Sequence, residues 1–220
     1  MEGTFSLENI AAVILAYVIG SIPTAIWVAR YIYGIEIREH GSKNSGATNT
    51  FRVLGKKAGI PVLLFDIFKG WIAVTLFAKF PGYELGGDQH VNLQLAVGLS
   101  AVLGHIFPLF ANFNGGKGIA TLLGIVLAIH PQAALIGVGV FLIIFLSTGY
   151  VSLGSIVASF CFPILVILVF NSQILSLNYF SMIFAVMVLL THQKNIERLL
   201  NNEENKMSPF IRNNRDDDER

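Results

Sequence analysis

Long apolar stretches alternate with short polar ones along this chain, and their lengths predict the elements. A helix crossing the hydrocarbon core of a bilayer needs about 20 predominantly apolar residues. The first run, from about Leu7 to Tyr31, has that length and is broken late by Gly20, Ser21 and Pro23. A second runs from about Ala58 to Phe80 with Asp66 and Lys69 inside it, and a third from about Val91 to Ala111. From Ile119 to Phe170 the chain is almost continuously apolar, too long for two spans. Breaks at His130-Pro131 and around Ser147-Thr148-Gly149-Tyr150 divide it into Ile119 to Ile129, Gln132 to Leu146 and Val151 to Phe170. The first two pieces are short, so they are short helices or one long hairpin. A last run covers about Leu175 to Thr191. The pattern predicts an all-α integral membrane protein of about seven transmembrane helices, with six or eight as alternatives. Residues 1–206 read as one polytopic membrane domain, and 207–220 as a polar, flexible tail.

Composition agrees. Of the 220 residues 54% are hydrophobic and only 13% charged, about half the charge of a soluble domain. A core of this size cannot hide so much apolar surface, so lipid must cover it. The start, Met1-Glu2-Gly3, has no basic region ahead of the apolar run, so that run is expected to be a retained helix. The single cysteine, Cys161, lies in an apolar run and reads as a small buried hydrophobe.

Charge changes the picture by its placement. Arg30, Arg38, Lys43, Arg52, Lys56 and Lys57 follow the first helix, Lys117 the third, and Lys194, Arg198, Lys206, Arg212, Arg215 and Arg220 the last; Lys69 and Lys79 remain. Cytoplasmic loops carry the Lys/Arg excess. With seven helices these loops share one face, giving an outside N-terminus and a cytoplasmic C-terminus. Nucleic acid is excluded as a partner, because the basic residues are juxtamembrane.

Three polar clusters fall on that face. In Gly41 to Gly59, "GSKNSGATNTFRVLGKKAG", glycines allow close backbone approach. Ser42, Asn44, Thr48 and Asn49 offer hydrogen bonds, and Arg52 a forked cation suited to phosphate. In "NFNGGKGIAT", Gly115, Gly116 and Gly118 surround Lys117 ahead of an apolar helix, a weak phosphate signal without Walker spacing. His105 lies just upstream, structural or functional with equal claim. In "THQKNIERLLNNEENK", His192 and Asn195 share a helix face that Arg198 continues, as a phosphate-ester site or as interfacial anchoring. Asp66 and Lys69, three apart in a membrane helix, either pair with each other or hold the first loop. Ser21 and Pro23 are expected to shape the first helix. There is no His-Glu-x-x-His, no carboxylate-rich metal cluster and no Gly-x-Ser-x-Gly elbow. What remains is a membrane enzyme or carrier handling small anions. A carrier needs polar groups at the midplane and on the outer face, where this sequence is sparse.

Taken in order, "GSIP", "GSKNSGATNTFRVLGKKAG", "FDIFKG", "GHIFPLFANFNGGKGIAT" and "THQKNIERLL" resemble the bacterial acyl-phosphate-dependent glycerol-3-phosphate acyltransferases, the PlsY family, over Gly20 to about Lys206. The resemblance implies transfer of a fatty acyl group from acyl phosphate to the 1-hydroxyl of glycerol 3-phosphate, the first acylation of phospholipid synthesis. It implies a seven-helix fold in the bacterial inner membrane with a cytoplasmic active site. It implies no cofactor or metal, and a functional coupling to an enzyme that makes acyl phosphate. By motif it assigns Ser42, Arg52, His192 and Asn195 to catalysis. Gly41, Asn44, Gly46, Thr48, Asn49, Gly115, Gly116, Lys117 and Gly118 are expected to bind substrate. Asp66, Lys69, His105 and Glu204 are expected to be structural. Two positions depart from the family pattern, which has glycine where this chain has Lys43 and Asn202. The first bears on loop flexibility, the second on the register of Glu204. An acyl phosphate is already activated, so no covalent acyl-enzyme is required. Ser42 then reads as a hydrogen-bond donor, and His192 as a general base or a substrate holder.

Overall fold

The computed structural model describes residues 6–77 and 83–207. Lys79, most of the expected tail and its arginines lie outside the described residues. Ten α-helices and no strand are found among the described residues. Helix α1 (Leu7–Gly20) starts where the Ser6 hydroxyl accepts from Asn9 N–H at 3.2 Å. The chain breaks at Ser21–Pro23 and resumes as α2 (Thr24–Tyr33), the two together making one apolar span over Leu7–Tyr33. After a short α3 (Ala47–Leu54) come α4 (Lys56–Phe77) and α5 (Asp88–Ile106). Helix α6 (Ile119–Ile129) turns at His130 into α7 (Pro131–Thr148), with the proline in the first turn, where its missing N–H costs nothing. Helix α8 (Val151–Ile164) carries Pro163 near its end and relaxes into a π-helical turn over Leu165–Val169. Helices α9 (Leu175–Thr191) and α10 (Gln193–Leu200) meet at His192 with a bend of 63°.

Among the described residues, five helical spans are long and apolar enough to cross a membrane, or six if the bent α9–α10 pair counts as one. The expected seventh is α6. Its 11 residues rise only about 16 Å, half of a hydrocarbon core of about 30 Å. The expected breaks at Ser21–Pro23, His130-Pro131 and Gly149 are all present.

Glycine lets the central helices touch. A Cβ on Gly70 would come within 2.1 Å of Thr121 O, and one on Gly124 within 1.9 Å of Ile67 O, so α4 and α6 pack backbone to backbone. Large apolar side chains point outward, among them Leu64, Ile143 and Leu168. That is the inverse of a soluble surface and the mark of a lipid-facing bundle. The protein is a multi-pass integral membrane protein.

The charges inside α4 close on themselves. Asp66 and Lys69 are both 1% exposed, with 2.7 Å between Oδ1 and Nζ. Lys69 also donates to Ile22 O at 3.0 Å, and Thr24 Oγ1 donates to Asp66 Oδ1 at 3.2 Å. Pro23 has no N–H, and Ile22 sits where the helix is interrupted; the lysine caps that carbonyl. The pair therefore holds the α1–α2 break. His105, buried, lies 3.7 Å from Asp66 and 3.2 Å from Thr121 Oγ1.

Candidate active site

Three segments from distant parts of the sequence meet at one end of the bundle. The first begins beyond α2, where Glu36 accepts from Arg30 at 2.8 Å and from Arg38 Nε at 2.9 Å. The hydrogen bond from Arg38 holds the Glu36 carboxyl down at about 2. Arg38 Nη1 also reaches Ala111 O and Asn114 O, both at 3.4 Å, tying this segment to the glycine-rich loop. Gly41 has φ +59°, and a Cβ there would lie 2.4 Å from Asn49 Oδ1. Asn49, 1% exposed, donates to Ile37 O and His40 O at 3.2 and 3.0 Å and accepts from Ser42 N–H at 2.8 Å. Expected among the substrate contacts, it spends its amide on the loop instead.

Asn44, Gly46 and Thr48 surround the start of α3, whose Thr50 hydroxyl donates back to Gly46 O at 3.2 Å. The Ser42 side chain is partly exposed, and no partner for its hydroxyl is found among the described residues. Arg52, on the last turn of α3, is half-buried and makes no hydrogen bond or ion pair among the described residues. Burial pulls its guanidinium below the ordinary range; Glu204 opposes that and Arg198 reinforces it. A desolvated, unpaired guanidinium is a site for an anion.

The second segment is the glycine-rich loop. Gly115 N–H donates to Ile106 O at 3.0 Å and Gly116 N–H to His105 O at 3.2 Å. These two amides, expected to cradle phosphate, are already spent on the end of α5. Their lack of a Cβ is what brings the loop in, since one on Gly115 would come within 2.0 Å of His105 O and one on Gly116 within 2.3 Å of His105 Nε2. Gly118, at φ +79°, then opens α6, whose first amides lack intrahelical partners. Burial lowers the Lys117 ammonium to about 8, against Glu204, which raises it.

The third segment carries α9 into α10. His192 Nδ1 lies 2.9 Å from Val188 O. A carbonyl only accepts, so Nδ1 carries the proton and Nε2 of the neutral ring keeps its lone pair. Lys117 Nζ donates to Asn195 Oδ1. Asn195 Nδ2 donates to Glu204 Oε1 at 2.7 Å, Arg198 Nε to Oε2 at 2.7 Å, and the Ser152 hydroxyl of α8 to Oε1 at 3.0 Å. Burial pushes the Glu204 carboxyl up, but hydrogen bonds from Arg198, Asn195 and Ser152 outweigh it and leave it below its ordinary value. The strap carrying Glu204 is pinned where Met207 N–H donates to Gly149 O at 2.9 Å and Lys206 Nζ sits 5.3 Å from the Tyr150 ring centroid.

Arg52, Lys117, His192, Asn195 and Glu204 are thus brought together, with three cations against one carboxylate once Arg198 is counted. Asn202 takes φ +58° and turns the strap so that Glu204 reaches its partners; Lys43 takes φ +59°. Both departures from the family pattern therefore sit in left-handed backbone, where glycine is the unstrained residue. Ser152 was not singled out from sequence. A serine in an apolar helix carries no local signal, and only its link to Glu204 reveals it.

The chain matches the family model described as glycerol-3-phosphate acyltransferase over residues 10–202. It is 42% identical over 226 residues to a glycerol-3-phosphate acyltransferase of Chlorobaculum parvum, covering 92% of this chain and 97% of that protein. A Fusobacterium nucleatum relative of the same name is 42% identical over 194 residues, covering 88% and 95%. Among solved structures, the glycerol 3-phosphate form of PlsY, an integral membrane glycerol 3-phosphate acyltransferase, superposes with a TM-score of 0.81 at 36% identity, over 91% of this chain and 96% of that one. Its lysophosphatidic acid form gives 0.78 at 35%, over 91% and 95%.

Proposed function

Because this chain belongs to the glycerol-3-phosphate acyltransferase family, of which PlsY is a member, we propose that it acylates the 1-hydroxyl of glycerol 3-phosphate from acyl phosphate, giving lysophosphatidate and phosphate. The observation that carries this reading is the excess of positive charge around Arg52, with Lys117 and Arg198 opposed, among the described residues, by Glu204 alone. Two phosphorylated substrates repel each other, and this excess offsets the repulsion. Arg52 binds a phosphate by its fork, and Lys117 with the first amides of α6 binds the other. Ser42, Asn44, Gly46 and Thr48 wall the pocket, and Asn195 holds Lys117.

The hydroxyl oxygen of glycerol 3-phosphate attacks the acyl carbon. The new ester C–O bond forms as the bond to the phosphate oxygen breaks, and phosphate leaves with the electron pair. His192 Nε2 has the lone pair to take the hydroxyl proton; a substrate phosphate oxygen is the competing acceptor. Holding the reactants together supplies about 7–11 kcal/mol of the barrier at best, and because acyl phosphate is already activated no acyl-enzyme is needed.

The protein sits in the bacterial inner membrane, α6 being the seventh span, with the N-terminus outside and the site and C-terminus cytoplasmic. The clustering of basic residues on the loops after α2 and α5 and after α9 supports this orientation. An enzyme that makes acyl phosphate must supply the donor.

The test is acyl transfer by purified protein in lipid, with labelled glycerol 3-phosphate and palmitoyl phosphate or palmitoyl-CoA, in the presence of a chelator. Lysophosphatidate from acyl phosphate alone is the expected result. Product from acyl-CoA alone overturns the donor, and no product from folded protein overturns the function.

A further inference from the structure

At the end of the bundle opposite Arg52 and Lys117 lies a cavity of about 540 Å³. Its origin is the shortness of α6. That helix runs antiparallel to α5, with Gly118 beside Val102 and Ile106, and Ile125 beside Gly98. It ends at Ile129, which shares the cavity wall with Gln94. Gln94 is six residues into α5 from Asp88, a rise of about 9 Å. The α6–α7 turn therefore stops below the far end of α5, and the space above it stays open.

The walls are mixed. Aliphatic side chains of α5, α6 and α9 form one part; His90, Gln94, His130, Asn171, Ser172 and Gln173 form the other. No charged side chain lines it among the described residues. His90 Nδ1 accepts from Gly86 N–H at 3.2 Å, and His130 Nδ1 from Ala133 N–H at 3.3 Å. Both neutral rings therefore carry their proton on Nε2, as donors. His90 is 7% exposed, and its Nε2 has no partner among the described residues. A buried donor without an acceptor is costly unless a ligand supplies one.

We propose that this cavity is a binding site for the uncharged, oxygen-rich head of an acylglycerol from the leaflet facing it. The ester or hydroxyl oxygens accept from His90 Nε2–H and from the Gln94 amide, and the acyl chain leaves along the aliphatic wall. Among the described residues the walls offer donors and no cation, which selects a neutral head over a phosphate. The size suits a headgroup with the upper part of a chain, since ligand sites run to about 300–1,000 Å³. The mixed walls select an amphiphile over free glycerol. This site is separate from the acylation site and does not depend on its chemistry.

The test uses the full chain in nanodiscs with a photoreactive monooleoylglycerol whose diazirine lies near the head. Labelling is expected within residues 86–94 and 171–177. It should fall at least about tenfold in the double variant His90→Phe/Gln94→Leu, while acyl transfer stays within about twofold. Ala128→Phe, which fills the cavity from α6 and adds no polar change, should have the same effect. Labelling elsewhere, labelling unchanged in both variants, equal labelling by an alkyl diazirine with no head, or removal by excess free glycerol each overturns the proposal.

Discussion

The molecule holds two ionic clusters that differ in one respect. Around Asp66 the charges balance: one lysine, one carboxylate, with Thr24 and the Ile22 carbonyl bonded to them. Around Glu204 they do not: Arg198 pairs with it, and Arg52 and Lys117 are left in excess. A balanced buried cluster is a fastening, and an unbalanced half-buried one is a place for a ligand of opposite sign. The comparison is sharper than burial alone, because both clusters are substantially desolvated.

Breaking each cluster separates the two roles. Arg52→Ala should lower acyl transfer about 10³-fold while leaving the thermal transition in detergent nearly unchanged. Arg52→Lys should not restore activity, since the ammonium lacks the fork. Unfolding of Arg52→Ala comparable to that of a core variant would make the site cluster a fastening too. Conversely, Lys69→Met strands the Asp66 carboxylate and should cost about 3 kcal/mol or more, and the double variant Asp66→Asn/Lys69→Met should regain part of it. Loss of turnover with unchanged stability in Lys69→Met would move that pair into the site.

The remaining outcomes are smaller. Only protonated Lys117 attracts a dianion, and in the free protein it titrates at about 8. As pH rises through that value, KM for glycerol 3-phosphate should climb roughly tenfold per unit until the bound-state value is reached. Lys117→Arg should remove the break, and a flat KM to pH 10 in the native protein would take Lys117 out of binding. Lys43→Gly relieves left-handed strain of about 1 kcal/mol, and a rise in melting temperature of a few degrees checks it. The least is the Glu36 link. Its carboxyl titrates at about 2 against an ordinary 4.5, so its stabilisation is complete above 4.5 and fades as pH falls towards 2. Protease protection of the Arg38 segment over that window reads it, and Glu36→Gln should abolish the dependence.

Much of this was legible in the sequence, for physical reasons that vary by region. Apolar length marks spans, so the breaks at Ser21–Pro23, His130-Pro131 and Gly149 were readable. The half-length of α6 was readable too, but whether eleven residues count as a crossing depends on what they pack against. At the site, Arg52, Lys117, His192 and Asn195 stood out because cations and polar groups are conspicuous beside apolar runs. The inward use of Asn49 and of the Gly115 and Gly116 amides was not readable. A side chain or amide that organises its own loop has the same letters as one that faces a substrate. Ser152 was hidden for the opposite reason: its partner lies 52 residues away in sequence.

The strap that brings Glu204 to Asn195 and Arg198 has a consequence for biogenesis. Arg52 and Lys117 are made well before the carboxylate that offsets them. Until the strap docks on the α7–α8 turn, a nascent chain carries a cluster of mutually repelling cations at the mouth of an unfinished bundle. Completion of the pocket is therefore coupled to synthesis past Glu204. A product that ends before Glu204 keeps that repulsion uncompensated by this carboxylate, even when every apolar helix has already entered the membrane.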